Sequence, residues 1–133
     1  MKIYVSHAIC GGDGPKASEE TKQKNCEAAK KWANLLRMNL GHQATKGCGV
    51  FVGGADGLYL RSEDELYVPA EHEDFVGLAY TMGLLSIPDI LRVDCEIVKS
   101  CDALVALGPI SNGMKVEIEC AEKHGIRVIY VDF

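Results

Sequence analysis

The chain opens on a short apolar segment, Lys2 to His7, where Ile3, Tyr4 and Val5 stand together and predict a buried strand. It runs into Ala8-Ile9-Cys10-Gly11-Gly12-Asp13-Gly14-Pro15, a glycine-rich turn in which backbone can closely approach a ligand. From Glu19 or Glu20 to Leu40, the positions Ala28, Ala29, Trp32, Leu35, Leu36 and Leu40 recur at helical spacing, and Gly41 supplies a stop. Residues 41 to 65 are punctuated by Gly47, Gly49, Gly53, Gly54 and Gly57 around the short run Val50-Phe51-Val52. That pattern predicts a long loop or a small hairpin, on the ligand side or at a subunit contact. Tyr67-Val68-Pro69 reads as a second short strand, and Glu73 to Leu85 as another helix.

The C-terminal part is clearer. Ser86 as cap and a proline in the first turn open a helix over Pro88 to Cys101. Ala103 to Leu107 is a continuous apolar strand, Gly108 to Gly113 a loop, Met114 to His124 a helix, and Ile126 to Val131 a last strand. Strands that are apolar throughout and separated by helices predict an α/β fold: a three-layer α/β/α sandwich with a mainly parallel, Rossmann-like or flavodoxin-like sheet. A chain of 133 residues has room for one such domain, spanning 1–133.

Projecting the last two long helices at about 100° per residue isolates two acids. Ile87, Ile90, Leu91, Ile97, Val98 and Cys101 form one stripe, and Asp94 lies in its middle. Met114, Ile118, Cys120 and Ala121 form the other arc, and Glu117 lies within it, while Lys115, Glu119, Glu122 and Lys123 take the opposite face. An ionised carboxylate buried without partners costs several kcal/mol, so each position calls for a compensating role. A buried acid can tie down backbone amides of a nearby loop. Two of them on helices flanking consecutive parallel strands point instead to a shared site near the carboxyl ends of the strands. Asp102, at the start of its strand, reads as a structural acid at a helix end. Ser111 caps the Glu117 helix, and its hydroxyl with the N–H groups of a positive helix end also makes a competent anion site.

Composition narrows the partners. The net charge is −5 and the pI about 5.3, against the clustered Lys and Arg of a phosphate-backbone binder, so no nucleic acid polymer is expected. No apolar run approaches the roughly 20 residues of a membrane span, and the opening lacks a signal-peptide core, so the expectation is a cytoplasmic protein with no membrane partner. Six cysteines are scattered without a CxxC pair, and four histidines give neither an i,i+4 pair nor HExxH. Buried thiols are expected, and neither a metal nor another cofactor. His72 reads as a surface residue or as part of the pocket lining.

In three places the chain resembles the nucleoside 2-deoxyribosyltransferase superfamily, which includes the deoxynucleoside 5′-monophosphate N-glycosidases. Ile3-Tyr4-Val5-Ser6-His7-Ala8-Ile9-Cys10-Gly11-Gly12 is similar to that family's first strand and base-binding turn. Asp94, eight residues ahead of Asp102, matches its helix acid and following strand acid. Ser111-Asn112-Gly113-Met114-Lys115-Val116-Glu117-Ile118-Glu119-Cys120-Ala121 matches its signature of a polar residue, a glycine, and a Glu four residues before Ala. The resemblance covers about half the chain and carries over poorly to residues 41 to 88.

It implies that Glu117 is a nucleophile attacking an anomeric carbon, with Asp94 holding sugar hydroxyls and assisting proton transfer to the departing base. It implies substrate contacts from Tyr4, His7, Ile9, Cys10, Gly11, Gly12, Ser111 and Gly113. Where transferases of the superfamily usually have Asp, contacting a 5′-hydroxyl, this chain has Ser111, as the monophosphate hydrolases do for a 5′-phosphate. It departs from those hydrolases in having Cys10 where they carry Arg, and His7 where they have a small residue. The expectation is a small-molecule nucleoside or nucleotide substrate, hydrolysis of a nucleoside 5′-monophosphate to base and sugar phosphate, and a homo-oligomer, most simply a dimer. The alternatives are 2-deoxyribosyl transfer between bases, and a non-catalytic nucleotide-binding module of the same fold.

Overall fold

The computed structural model describes residues 1–9, 16–54 and 57–132. In chain order the elements are β1 (Lys2–Ser6), α1 (Glu19–Ala44), β2 (Val50–Val52), β3 (Leu58–Leu60), β4 (Glu65–Tyr67), a 3-10 turn (Pro69–His72), α2 (Glu73–Thr81), α3 (Ile87–Lys99), β5 (Ala103–Leu107), α4 (Asn112–Lys123) and β6 (Arg127–Val131). β4, β1, β5 and β6 make one parallel sheet in that spatial order, and β2 pairs with β3 as an antiparallel hairpin. The order of the parallel strands is flavodoxin-like: the first strand sits between the second and third. Helices cover both faces, so the three-layer α/β/α architecture expected from the strand pattern is the one observed.

Strand alternation divides the core in two. Ile3, Val5, Val105 and Leu107 face α1 and pack with Ala29, Ala33, Leu36 and Leu40. Tyr4, Leu104 and Ala106 face the other way and pack with Val98 of α3 and Met114, Ile118 and Ala121 of α4. No helix is long and apolar enough to cross a membrane among the described residues.

Several boundaries differ from the sequence reading, each for a local reason. α1 runs through Gly41 to Ala44, because one exposed helical glycine costs only about 1 kcal/mol against a long helix with a packed face. Chain reversal follows at Gly47, whose φ is +71°. β4 lies two residues earlier than expected, with Glu65 opposite Lys2 and the Glu65 N–H donating to the Met1 carbonyl at 2.9 Å. Pro69, having no N–H for the ladder, opens the 3-10 turn instead. α2 ends at Thr81 ahead of Gly83 in the left-handed region, and α4 starts at Asn112 rather than Met114.

The 41–65 region contains the hairpin, and of the two places expected for it, the ligand side or a subunit contact, it lies away from the sheet face that carries Glu117. Val52, Leu58 and Leu60 join the α1-face core, on the opposite side of the sheet from Glu117. The hairpin needs its glycines: a Cβ at Gly57 would lie 1.8 Å from the Val52 carbonyl oxygen, and one at Gly49 would lie 2.1 Å from that of Leu60. Asp102 is structural, as expected. Its Oδ2 accepts from the Lys2 N–H at 2.8 Å while its own N–H donates to the Lys2 carbonyl at 2.7 Å, fixing the start of β5 against β1.

Candidate functional site

β1 has β4 on one side and β5 on the other, which makes the carboxyl ends of β1 and β5 the switch point of the sheet, the place where ligands of open α/β sheets bind. α4 descends from this edge. Met114, Ile118 and Ala121 recur at i, i+4 and i+7 and bury its inner face, which carries Glu117 inward with them. Glu117 exposes 5% of its surface. Two hydroxyls from β1 meet it: the Tyr4 hydroxyl donates to Oε2, and Ser6 Oγ donates to Oε1 at 2.7 Å. Tyr4 and Ser6 share a face because residues two apart on a strand do.

Burial pushes the Glu117 carboxyl up to about 7. The Tyr4 and Ser6 hydroxyls oppose that shift, and the charge of Asp94 adds to it. Asp94, half-buried on α3, is pushed up to about 6 by burial and then by the charge of Glu73, while the Tyr4 hydroxyl pulls it down. The Tyr4 phenol thus lies beside both acids, with its proton donated to Glu117. Burial and the two carboxylates hold its own proton far above the ordinary tyrosine range, so it acts as a donor. The two acids singled out by helical projection therefore belong to one cluster, with Glu117 fully buried and Asp94 nearer the rim.

Aromatic rings extend the cluster towards β4. Tyr67 stacks on Tyr4 with centroids 5.5 Å apart, and exposed His72 stacks on Tyr67 at 4.9 Å. The Tyr67 phenol is raised by burial and by Asp94. Glu73, half-buried at the start of α2, is raised by burial, with the Lys22 ammonium working against the shift.

The remaining expected residues fall in different places. His7 is buried: its Nδ1 donates to the Ala8 carbonyl at 3.1 Å and its Nε2 accepts from the Ala70 N–H at 3.1 Å. Both ring nitrogens are thus committed within the protein, which fixes a neutral tautomer, and burial holds the pKa below the usual histidine value. His7 ties the end of β1 to the 3-10 turn rather than offering a nitrogen to a ligand. Ile9 packs against the α1-face core, and its carbonyl accepts from Asn25 Nδ2 at 2.7 Å. Cys10, Gly11 and Gly12 lie outside the described residues.

Ser111 caps α4, accepting from the Met114 N–H at 3.3 Å, while the Lys115 N–H donates to the Ser111 carbonyl at 3.0 Å. Among the described residues nothing accepts from the N–H groups of Asn112 or Gly113. Gly113 is half-buried, and a Cβ there would make ordinary contact with Leu91 Cδ2 at 3.8 Å. No group of three or more His, Cys, Asp or Glu side chains placed to hold a metal occurs among the described residues.

Ser6, Tyr67 and Glu73 were missed by the sequence reading. Ser6 carried a readable signal, since Tyr4 and Ser6 are the two hydroxyl-bearing positions of one strand face. Tyr67 and Glu73 carried none, because their approach depends on β4 pairing with β1.

The chain matches no protein-family model, no curated protein and no solved structure. Fold and site define a class: a flavodoxin-like α/β protein with a buried, hydroxyl-held glutamate and a second, half-buried carboxyl near it.

Proposed function

We propose that this chain cleaves the N-glycosidic bond of a nucleoside 5′-monophosphate, releasing free base and sugar phosphate. The observation that carries the reading is Glu117: a carboxyl taken out of water, held by two hydroxyl donors, and accompanied by a second carboxyl with a raised pKa. In this mechanism a Glu117 oxygen attacks the anomeric carbon as the C–N bond breaks through an oxocarbenium-like transition state. The Tyr4 and Ser6 hydroxyls orient the attacking carboxylate. The reactive form pairs ionised Glu117 with protonated Asp94; with carboxyls raised to about 7 and about 6 this is the minor form near neutrality, and from it Asp94 delivers its proton to the leaving base. Water, giving one proton to the Asp94 carboxylate, then attacks the anomeric carbon, breaks the glycosyl ester and restores the Glu117 carboxylate. The start of α4, with Ser111 and the Asn112 and Gly113 amides, suits a dianionic 5′-phosphate.

The test is chromatographic: ribo- and deoxynucleosides and their 5′-monophosphates, each with and without an acceptor base, assayed for free base. Release from monophosphates that disappears in Glu117→Gln and Glu117→Ala is expected. Release from unphosphorylated nucleosides alone would remove the phosphate argument. Base exchange would place the chemistry in transfer, and tight binding without turnover would make the protein a nucleotide-binding module.

α2 supports the expected homo-oligomer. It has no buried residue, yet Phe75, Leu78, Tyr80, Met82, Leu84 and Ile87 on and after it each leave 39% to 79% of their surface exposed. At about 200 Å² per large side chain this is on the order of 700 Å², close to one partner's share of a standard interface. We infer that a second copy of the chain covers it. Light scattering should report a dimer that Phe75→Asp with Leu78→Asp converts to a folded monomer, and a monomeric wild-type mass would overturn the inference.

A further inference from the structure

Behind the carboxylates, α3 and α4 bring two thiols together. Cys95 follows Asp94 directly in the chain, and Cys120 lies three residues after Glu117. Both are half-buried and reduced in this structure. Cys120 Sγ donates to the Cys95 carbonyl oxygen at 3.5 Å, which brings its sulfur from α4 against the Cys95 backbone on α3. Cys95 lines an open groove with Leu91 and Val116, which gives a small reagent a path to the pair. His124 Nδ1 stands 3.9 Å from Cys120 Sγ on the solvent side.

We propose that Cys95 and Cys120 are a redox couple that closes to an intrachain disulfide, stapling α3 to α4. The oxidant is a low-molecular-weight disulfide. One thiol of the couple releases its proton to solvent and attacks a reagent sulfur, and one reagent thiolate leaves. The second thiol, its proton also lost to solvent, displaces the other reagent thiolate from the mixed disulfide. Two protein thiols are oxidised by two electrons, and the reagent disulfide is reduced to two thiols. In the resting state burial and the neighbouring Cys120 thiol push the Cys95 thiol up to about 12, which keeps that thiol protonated and its attack slow near neutrality. The staple would fix the two helices that carry Asp94 and Glu117, and the proposal stands whether or not those acids cleave a glycosidic bond.

Oxidised glutathione is the probe. Trypsin, cutting after Arg92, Lys99, Lys115 and Lys123, puts Cys95, Cys101 and Cys120 on three different peptides. The expected product joins the Cys95 and Cys120 peptides with loss of two hydrogens, raises the melting temperature by about 5 °C, and reverts with dithiothreitol. In Cys120→Ala, and separately in Cys95→Ser, the same treatment should give no joined peptide and no rise. Wild-type protein in which either thiol stays reduced, or stops at the glutathione mixed disulfide, would overturn the proposal.

Discussion

The two faces of β1 are made to different rules. Ile3 and Val5 point to α1 and meet a core of Ala29, Ala33, Leu36, Val105 and Leu107, apolar throughout. Tyr4 and Ser6, one residue away in each case, point to α4 and meet a glutamate. Both faces are equally dry, so solvent access does not separate them. The α1 face returns transfer free energy for every apolar group it buries. The α4 face spends part of what Leu104, Met114 and Ile118 contribute on keeping a carboxyl out of water, and two hydroxyls recover only some of it. A fold gives up stability on one face of a strand where that face has another use, and stability measurements can separate the two.

The largest effect is expected on the α1 face. Ile3→Ala removes a fully buried side chain from the centre of that core and should cost about 4 kcal/mol in urea denaturation, nearly independent of pH. A loss under about 1 kcal/mol would show that the α1 face does not dominate stability.

Next comes Glu117→Gln, with the opposite sign. The Glu117 carboxyl ionises at about 7 when folded against 4.5 as its ordinary value, so folding favours its protonated form. Its contribution is full below the ordinary value and is lost as pH rises through 7. Wild type should therefore lose stability relative to Glu117→Gln between pH 4.5 and 7.5, with the variant ahead by up to about 3 kcal/mol at pH 8. Asp94 adds to the slope in the same direction, whereas Asp64 and Glu71, both held below their ordinary values by hydrogen bonds, change stability only at pH below those values and do so in wild type and variant alike. Measuring the difference between the two proteins cancels those shared terms. Parallel curves would mean that Glu117 is not desolvated as described.

Much of this asymmetry could be read in the sequence, and what could not is physically identifiable. Asp94 and Glu117 were visible because a charge inside a helical apolar stripe violates a periodicity that needs no partner to be recognised. The layers were visible because β5 and β6 are apolar runs between helices. β4 was misplaced because three residues carry too little pattern, and its register comes from pairing with β1 across more than sixty residues. The resemblance implies a substrate contact from His7, whereas its ring nitrogens meet the Ala8 carbonyl and the Ala70 amide, backbone groups that no side-chain pattern announces. The pattern of residues 41–65 fits a loop as well as a hairpin, because the hairpin's glycines serve close backbone contacts, which composition shows as mere flexibility.

The smallest expected effect discriminates most finely. Ser6→Ala removes one of the two donors to Glu117 and leaves the apolar contacts of the strand in place. Because that hydroxyl holds the carboxyl down against its burial, its loss should raise the ionisation of Glu117 by a few tenths of a pH unit. The upper end of the pH range over which stability falls should move up with it while the lower end stays at the ordinary carboxyl value, read from denaturation midpoints across that range. Total stability near pH 5, where the carboxyl is already protonated, should drop by no more than about 1 kcal/mol. Ile3→Ala on the other face should do the reverse, with a large loss and no movement of the pH curve. If both variants shift the curve, or neither does, the two faces of β1 are coupled through the sheet and the division between a stabilising face and a working face fails.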